Sequence, residues 1–230
     1  MARPGKGRPA GDPEVHMLSL FKKPLFNRAG PANPADSYQQ RLAIYERELG
    51  EREYTFLDPG DSRIDVHAFG RDFVPDCEEG SDEGYVLLTN GMSEQRMALP
   101  PQAEAKPRAE LMWYVRDATP EISANLRWLA SLPLIDNTWF GFGHRVPMPA
   151  PPVPGTEFKT FLFLTPIITP DQRIAEALSV AGDAIEILTV NLISDREYEL
   201  IKSEGLDAFL DLLDENDYPA IFDPSRKSYV

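Results

Sequence analysis

A histidine set among aromatics and glycines is where chemistry is sought first. The stretch NTWFGFGHRVP, residues 137–147, carries Trp139, Phe140, Gly141, Gly143 and His144, and His144 is one of only three histidines in 230 residues. A second histidine, His67, follows Asp65 by two positions, so on a strand the pair would share a face. A metal site would have to draw on His67, Asp65 and His144. The chain holds no H-x-x-x-H, no H-E-x-x-H and no Cys/His spacing with ligand meaning, so neither a metal nor another cofactor is expected. Ser93, in TNGMSEQ, is not a G-x-S-x-G nucleophile, because Gln95 replaces the second glycine. Cys77 lies among Asp76, Glu78 and Glu79, which disfavour a thiolate, so it reads as inert. The acidic loop around it lacks the ligand order of a calcium loop, and GKGRPAG, near the start, is flanked by neither strand nor helix. No catalytic residue is expected. The alternative is a hydrolase or metal-dependent enzyme using His67 or His144 with nearby carboxylates, and it requires a pocket that holds both histidines.

These residues need elements to position them. The segment 37–49 reads as a helix capped by Asp36 or Ser37, with Tyr38, Leu42, Tyr45 and Leu49 on one face and Gly50 closing it. Residues 63–69 alternate as a strand with Ile64, Val66 and Ala68 on one side, and GYVLLTNG is a strand running into an Asn90-Gly91 hairpin turn. RAELMWYV, 108–115, is a further strand. Its alternation places Ala109, Leu111 and Trp113 on one face and exposes Arg108, Glu110 and Tyr114 on the other. A helix capped by Thr119 with Pro120 first and Ile122, Leu126 and Leu129 as its stripe comes next, then an irregular stretch over 133–147. Nearly unbroken apolar runs at 158–165 and 185–193 predict central strands covered on both faces. Ser194 and Glu197 form a capping box with an Ile193–Tyr198 staple, Gly205 stops that helix, and LDAFLDLLDEN is a short amphipathic one. Strands and helices mix without βαβ regularity. An α+β domain with a mixed, largely antiparallel sheet and flanking helices follows.

The bulk numbers suit one domain. We expect residues 1–36 to be a disordered or loosely docked extension, with Met17 a candidate start, residues 37–215 to be the domain, and 216–230 a tail. The net charge is −14, which disfavours nucleic acid and anionic membranes as partners. One cysteine, no apolar run of membrane-spanning length and no signal-like start fit a cytoplasmic protein. Nine acids between Asp195 and Asp217 face only Arg196 and Lys202, a local balance of −7 that would steer a basic protein.

Four words in order, LLTNGMS (87–93), RAELMWYV (108–115), LASLPLIDNTWFGFGHRVP (129–147) and ILTVNLISDREYELIKSEGLDAFLDLL (187–213), resemble bacterial suppressor of fused domains. Thr138, Trp139, Gly143 and His144 carry the family's T-W-x-x-x-G-H segment. Asn191 and Ser194 depart from it, standing where proline and threonine are common. The resemblance implies a non-enzymatic protein-binding module, by β-strand addition of an extended peptide in the animal relatives. Bacterial members resemble immunity proteins that neutralise a toxin domain, and an acidic inhibitor suits a basic toxin. Under this reading Arg108, Glu110, Tyr114, Trp139 and His144 lie near a binding cleft, and Asp207, Asp211 and Asp214 belong to a second candidate surface. His144 itself is expected to be architectural, bonded to loop backbone. Oligomer contacts with other copies of the chain remain a third reading.

Overall fold

The computed structural model describes residues 34–60, 62–73 and 81–230. Cys77, most of its acidic loop and residues 1–33 of the expected 1–36 extension lie outside the described residues. Strand β1 (Tyr54–Phe56), β2 (Asp65–Asp72), β3 (Glu83–Asn90) and β4 (Arg108–Val115) form an antiparallel run. β4 pairs in parallel with β8 (Asp183–Ile193), and β8 pairs antiparallel with β6 (Thr160–Leu164), which carries the short outer strand β5 (Arg145–Pro147). The order is β1-β2-β3-β4-β8-β6-β5, with β7 (Ser179–Val180) a hairpin arm on β8. One parallel pair in an otherwise antiparallel sheet is the mixed α+β architecture expected.

Alternation sorts the core into layers. Helix α2 (Pro120–Ile135) covers one face, where Leu126 and Leu129 meet Leu111, Trp113, Phe161 and Phe163. The other face is covered at one end by α1 (Pro34–Leu49) and α3 (Thr169–Ala177), and at the other by α4 (Asp195–Glu204) and α5 (Leu206–Glu215). Thr119 caps α2, its hydroxyl accepting from Ile122 N at 3.3 Å, and the Ser194–Glu197 capping box forms in full. Ile193 and Tyr198 pack in one cluster, as a staple should.

Several boundaries differ from expectation. α1 begins at Pro34, so Ser37 lies inside it and its hydroxyl goes to Glu94 instead of a cap. Asn90-Gly91 makes no hairpin: Gly91 (φ +136°) leads into a 3-10 turn, Met92–Glu94, and a long loop precedes β4. The stretch 133–147 is less irregular than expected, because α2 continues through Pro133 and β5 follows. α3 and β7 add to the expected elements, α3 opening on Pro170 and Asp171 in its first turn, and Ala181 and Gly182, both at positive φ, turn β7 into β8. Residues 216–230, read as a tail, pack on the domain through buried Ile221 and Phe222. Among the described residues no helix is long and apolar enough to cross a membrane.

Candidate protein-binding surface

Three of the nominated residues are not at the surface. Arg108, Glu110 and Tyr114 do point away from Ala109, Leu111 and Trp113, but α1 and α3 cover that face, and all eight residues of β4 are buried. Glu110 is fully enclosed. Its Oε1 accepts from Gly91 N and Ser93 N (both 3.0 Å) and Ser93 Oγ (2.6 Å), while Oε2 takes Thr89 Oγ1 (2.6 Å). Arg41 Nε lies 3.6 Å from it and bonds Asn90 Oδ1 at 2.7 Å. Arg108 donates to Ser93 O (2.6 Å) and Asp183 Oδ2 (2.8 Å), and Arg96 and Arg108 hold Asp183 down at about 2. The Tyr114 hydroxyl donates to Asp171 at 2.5 Å, and burial, then that carboxylate, raise its pKa. Arg71 forks onto the same Asp171 at 2.7 and 2.8 Å. This is an internal polar network that fastens α1, α3 and the loop after β3 to the sheet; the expectation that the three residues are exposed is corrected. The Ser93 hydroxyl is spent on the buried Glu110 carboxylate, and Ser93 itself is fully buried.

The histidines are kept apart. His67 sits on β2 and is 1% exposed; His144 precedes β5, and four strands separate them in the sheet. The pocket the hydrolase alternative requires is therefore not formed. Thr55 Oγ1 lies 3.0 Å from His67 Nδ1, and Tyr38 Oη and Asn90 Nδ2 lie 3.2 and 3.4 Å from Nε2. The Tyr38 hydroxyl is donated to Asp65 Oδ2 at 2.7 Å. Burial first, then the Arg52 charge, lower the His67 pKa to about 4. Among the described residues no three His, Cys, Asp or Glu side chains converge as a metal site would need.

The TWFGFGH segment forms the other end of the sheet. Phe140 is buried and stacks on Phe163, ring centroids 4.5 Å apart. The Trp139 and His144 rings meet edge-on at 4.1 Å. Gly143 N donates to Phe163 O (2.7 Å) and Phe163 N to His144 O (3.0 Å), which continues the β6 ladder past β5. Gly143 adopts φ +78°, and a Cβ there would stand 2.9 Å from Leu206 Cδ2, so the segment rests against α5. The Arg145 guanidinium lies 5.7 Å over the Tyr198 ring of α4. Phe142 is 49% exposed.

At this end Phe142 is exposed, Trp139 and His144 are half-buried, β5 is an edge that no described strand pairs, and α5 meets the segment at Leu206. Phe209 and Leu213 bury one side of α5, leaving Asp207, Asp211 and Asp214 exposed on the other. Of the nine C-terminal acids, Glu197 alone is buried, against Arg226. Local patterning does not point to Arg41, Asp171 or Arg226, buried charges whose partners lie 29 to 100 residues away.

The family model described as Suppressor of fused protein (SUFU) matches residues 60–227. A protein of Neisseria gonorrhoeae FA 1090 described as a SUFU homologue has a similar structure, at TM-score 0.64 and 18% identity over 85% of this chain and 98% of that one. A chain of the Sufu–Fu complex superposes at TM-score 0.53 and 11% identity, covering 86% of this chain and 93% of the other. Drosophila Suppressor of Fused gives TM-score 0.51 and 12% identity over 84% of this chain, which spans 50% of that protein's length. No curated protein matches.

Proposed function

The chain belongs to the suppressor of fused family, and from that premise we propose that it is a non-enzymatic protein-binding module acting as an immunity protein for a basic toxin domain in the cytoplasm. The observation that carries the reading is the exposed acidic side of α5, together with an edge strand that no described strand pairs and an exposed phenylalanine. An edge strand offers backbone donors and acceptors to an extended segment, and the acidic helix selects a positively charged one. A Sufu–Fu complex among the matched structures supports the choice of a protein as ligand. Trp139 and His144 line this surface and are proposed as contacts. Arg108, Glu110 and Tyr114 hold its scaffold from within. The test is a tagged pull-down from the native host, washed first at low and then at high salt, with mass spectrometry of what remains. A single basic protein, retained at low salt and lost at high salt, is expected. Absence of any protein partner at either salt sinks the proposal.

A further inference from the structure

β4 and β8 pair from Arg108↔Ile185 to Met112↔Thr189 and then part. β4 continues to Val115 on β3, and β8 continues to Ile193 on β6. Between residues 113–115 and 190–193 the sheet is forked, and each inner rim presents backbone carbonyls that need donors. The chain's own residues 221–229 supply them. Phe222 N donates to Tyr114 O at 3.0 Å beside an isolated parallel bridge to Val115. Arg226 Nη2 donates to Leu192 O at 3.1 Å on the opposite rim.

The fork has a definite chemistry. The Phe222 ring lies 5.9 Å from Trp113 and 6.5 Å from Phe158, in an aromatic floor. Four residues on, the Arg226 guanidinium stacks 4.0 Å from the Phe158 centroid and forks onto the buried Glu197 at 2.7 and 3.0 Å. A planar cation with several donors suits a carboxylate, a carbonyl and an aromatic face together; an ammonium does not. The occupant's hold is narrow. On β4 it makes one backbone bond instead of a ladder, its further anchors are Ser228 Oγ on Ser194 Oγ (2.8 Å) and Tyr229 N on Glu197 Oε1 (3.1 Å), and Pro224, Ser225 and Lys227 between them are exposed. Its fit is also incomplete, because Trp113 Nε1 and Arg226 Nε are buried with no hydrogen-bond partner.

We infer that this fork is a binding site for an extended partner segment carrying an aromatic residue and, four positions later, an arginine, and that residues 221–229 occupy it in cis as a displaceable strap. The inference rests on the reading of the chain as a protein-binding module, but not on the acidic surface or on any host partner. A tethered strap has a high effective concentration, so a free peptide competes poorly until the strap is weakened.

The experiment titrates a fluorescein-labelled peptide of residues 217–230 into the full chain, read by anisotropy. The Phe222→Ala/Arg226→Ala chain is expected to bind at least tenfold more tightly than wild type, and a peptide with the same two substitutions to bind neither. Binding no tighter than wild type, by a variant whose circular dichroism is native, overturns the proposal. Hydrogen exchange on the wild-type chain decides independently of whether the variant folds. The Phe222 amide is expected to exchange at least tenfold faster than the β8 amides, through local opening. Protection equal to theirs means the segment leaves only on global unfolding, and the strap does not exist. Because the peptide is synthetic, a failed host pull-down and a failed titration count against different proposals.

Discussion

Burying a histidine among neutral hydrogen-bond partners commits it to its uncharged form. His67 is such a case: its Nδ1 meets Thr55, its Nε2 faces Asn90 and Tyr38, and the nearest carboxylate, Asp65, already takes the Tyr38 proton donor. With its pKa lowered to about 4 in the fold, against about 6.5 in the unfolded chain, the unfolded state binds a proton that the folded state refuses across that window. The contribution to stability is complete above pH 6.5 and is lost as pH falls toward 4, by about 3 kcal/mol for a shift of this size. Asp65 faces the ring and partly opposes the shift, while Arg52 and burial drive it. Many carboxylates titrate nearby, so the comparison must be with a variant. Wild type is expected to lose about 2 kcal/mol more stability than His67→Gln between pH 7 and pH 4.5, measured by urea unfolding at each pH. Equal losses would show that the ring titrates normally. His144, by contrast, is half-buried against Trp139, where its backbone continues the β6 ladder.

At the scale of elements, the turn after β3 is the most constrained joint. A Cβ on Gly91 would stand 2.2 Å from the backbone oxygen of Arg63, and its φ of +136° is one that side-chain-bearing residues rarely adopt. Gly50, at φ +88°, has nothing within 4 Å of the same added atom. Gly91→Ala is therefore expected to cost about 3 kcal/mol, from strain and a forced main-chain shift. Gly50→Ala should cost about 1 kcal/mol, from conformation alone. The reading is the drop in urea midpoint at unchanged slope, and similar drops for both would refute the close approach. Local rules were legible in the residues themselves. The Thr119 cap, the Ser194–Glu197 box and the alternation of β4 all depend on neighbours within a few positions. What covers the second face of β4 was not legible, because Tyr114 meets Asp171 57 residues away and Arg108 meets Asp183 75 residues away. Polar residues at alternate positions read as solvated when their partners arrive from distant helices. Arg226, whose partners Glu197 and Leu192 lie 29 and 34 residues back, was hidden in the same way, and so was the sheet's fork.

The whole molecule carries its charge unevenly. Half of the net −14 falls between Asp195 and Asp217, and α5 turns Asp207, Asp211 and Asp214 outward. A field of this kind accelerates encounter with a cation-rich partner more than it tightens the final contact, and salt screens it over about 10 Å at 0.1 M ionic strength. Replacing the three aspartates by lysine changes the net charge by +6, from −14 to −8, without touching a buried group. Asp211→Lys and Asp214→Lys are each expected to alter folding stability by less than about 0.5 kcal/mol, since exposed positions outside the core contribute little, whereas Asp207→Lys puts a cation in the first turn of α5 and is expected to cost about 1 kcal/mol. The association rate with the basic protein captured from the host should fall at least tenfold at low salt and converge toward wild type as salt rises, followed by stopped-flow fluorescence. A dissociation rate that changes equally at every salt concentration would mean that the aspartates make direct contacts instead of setting a field. The partner's position would then be fixed on α5 itself, and the β5 edge and Phe142 would flank the interface and not form its centre.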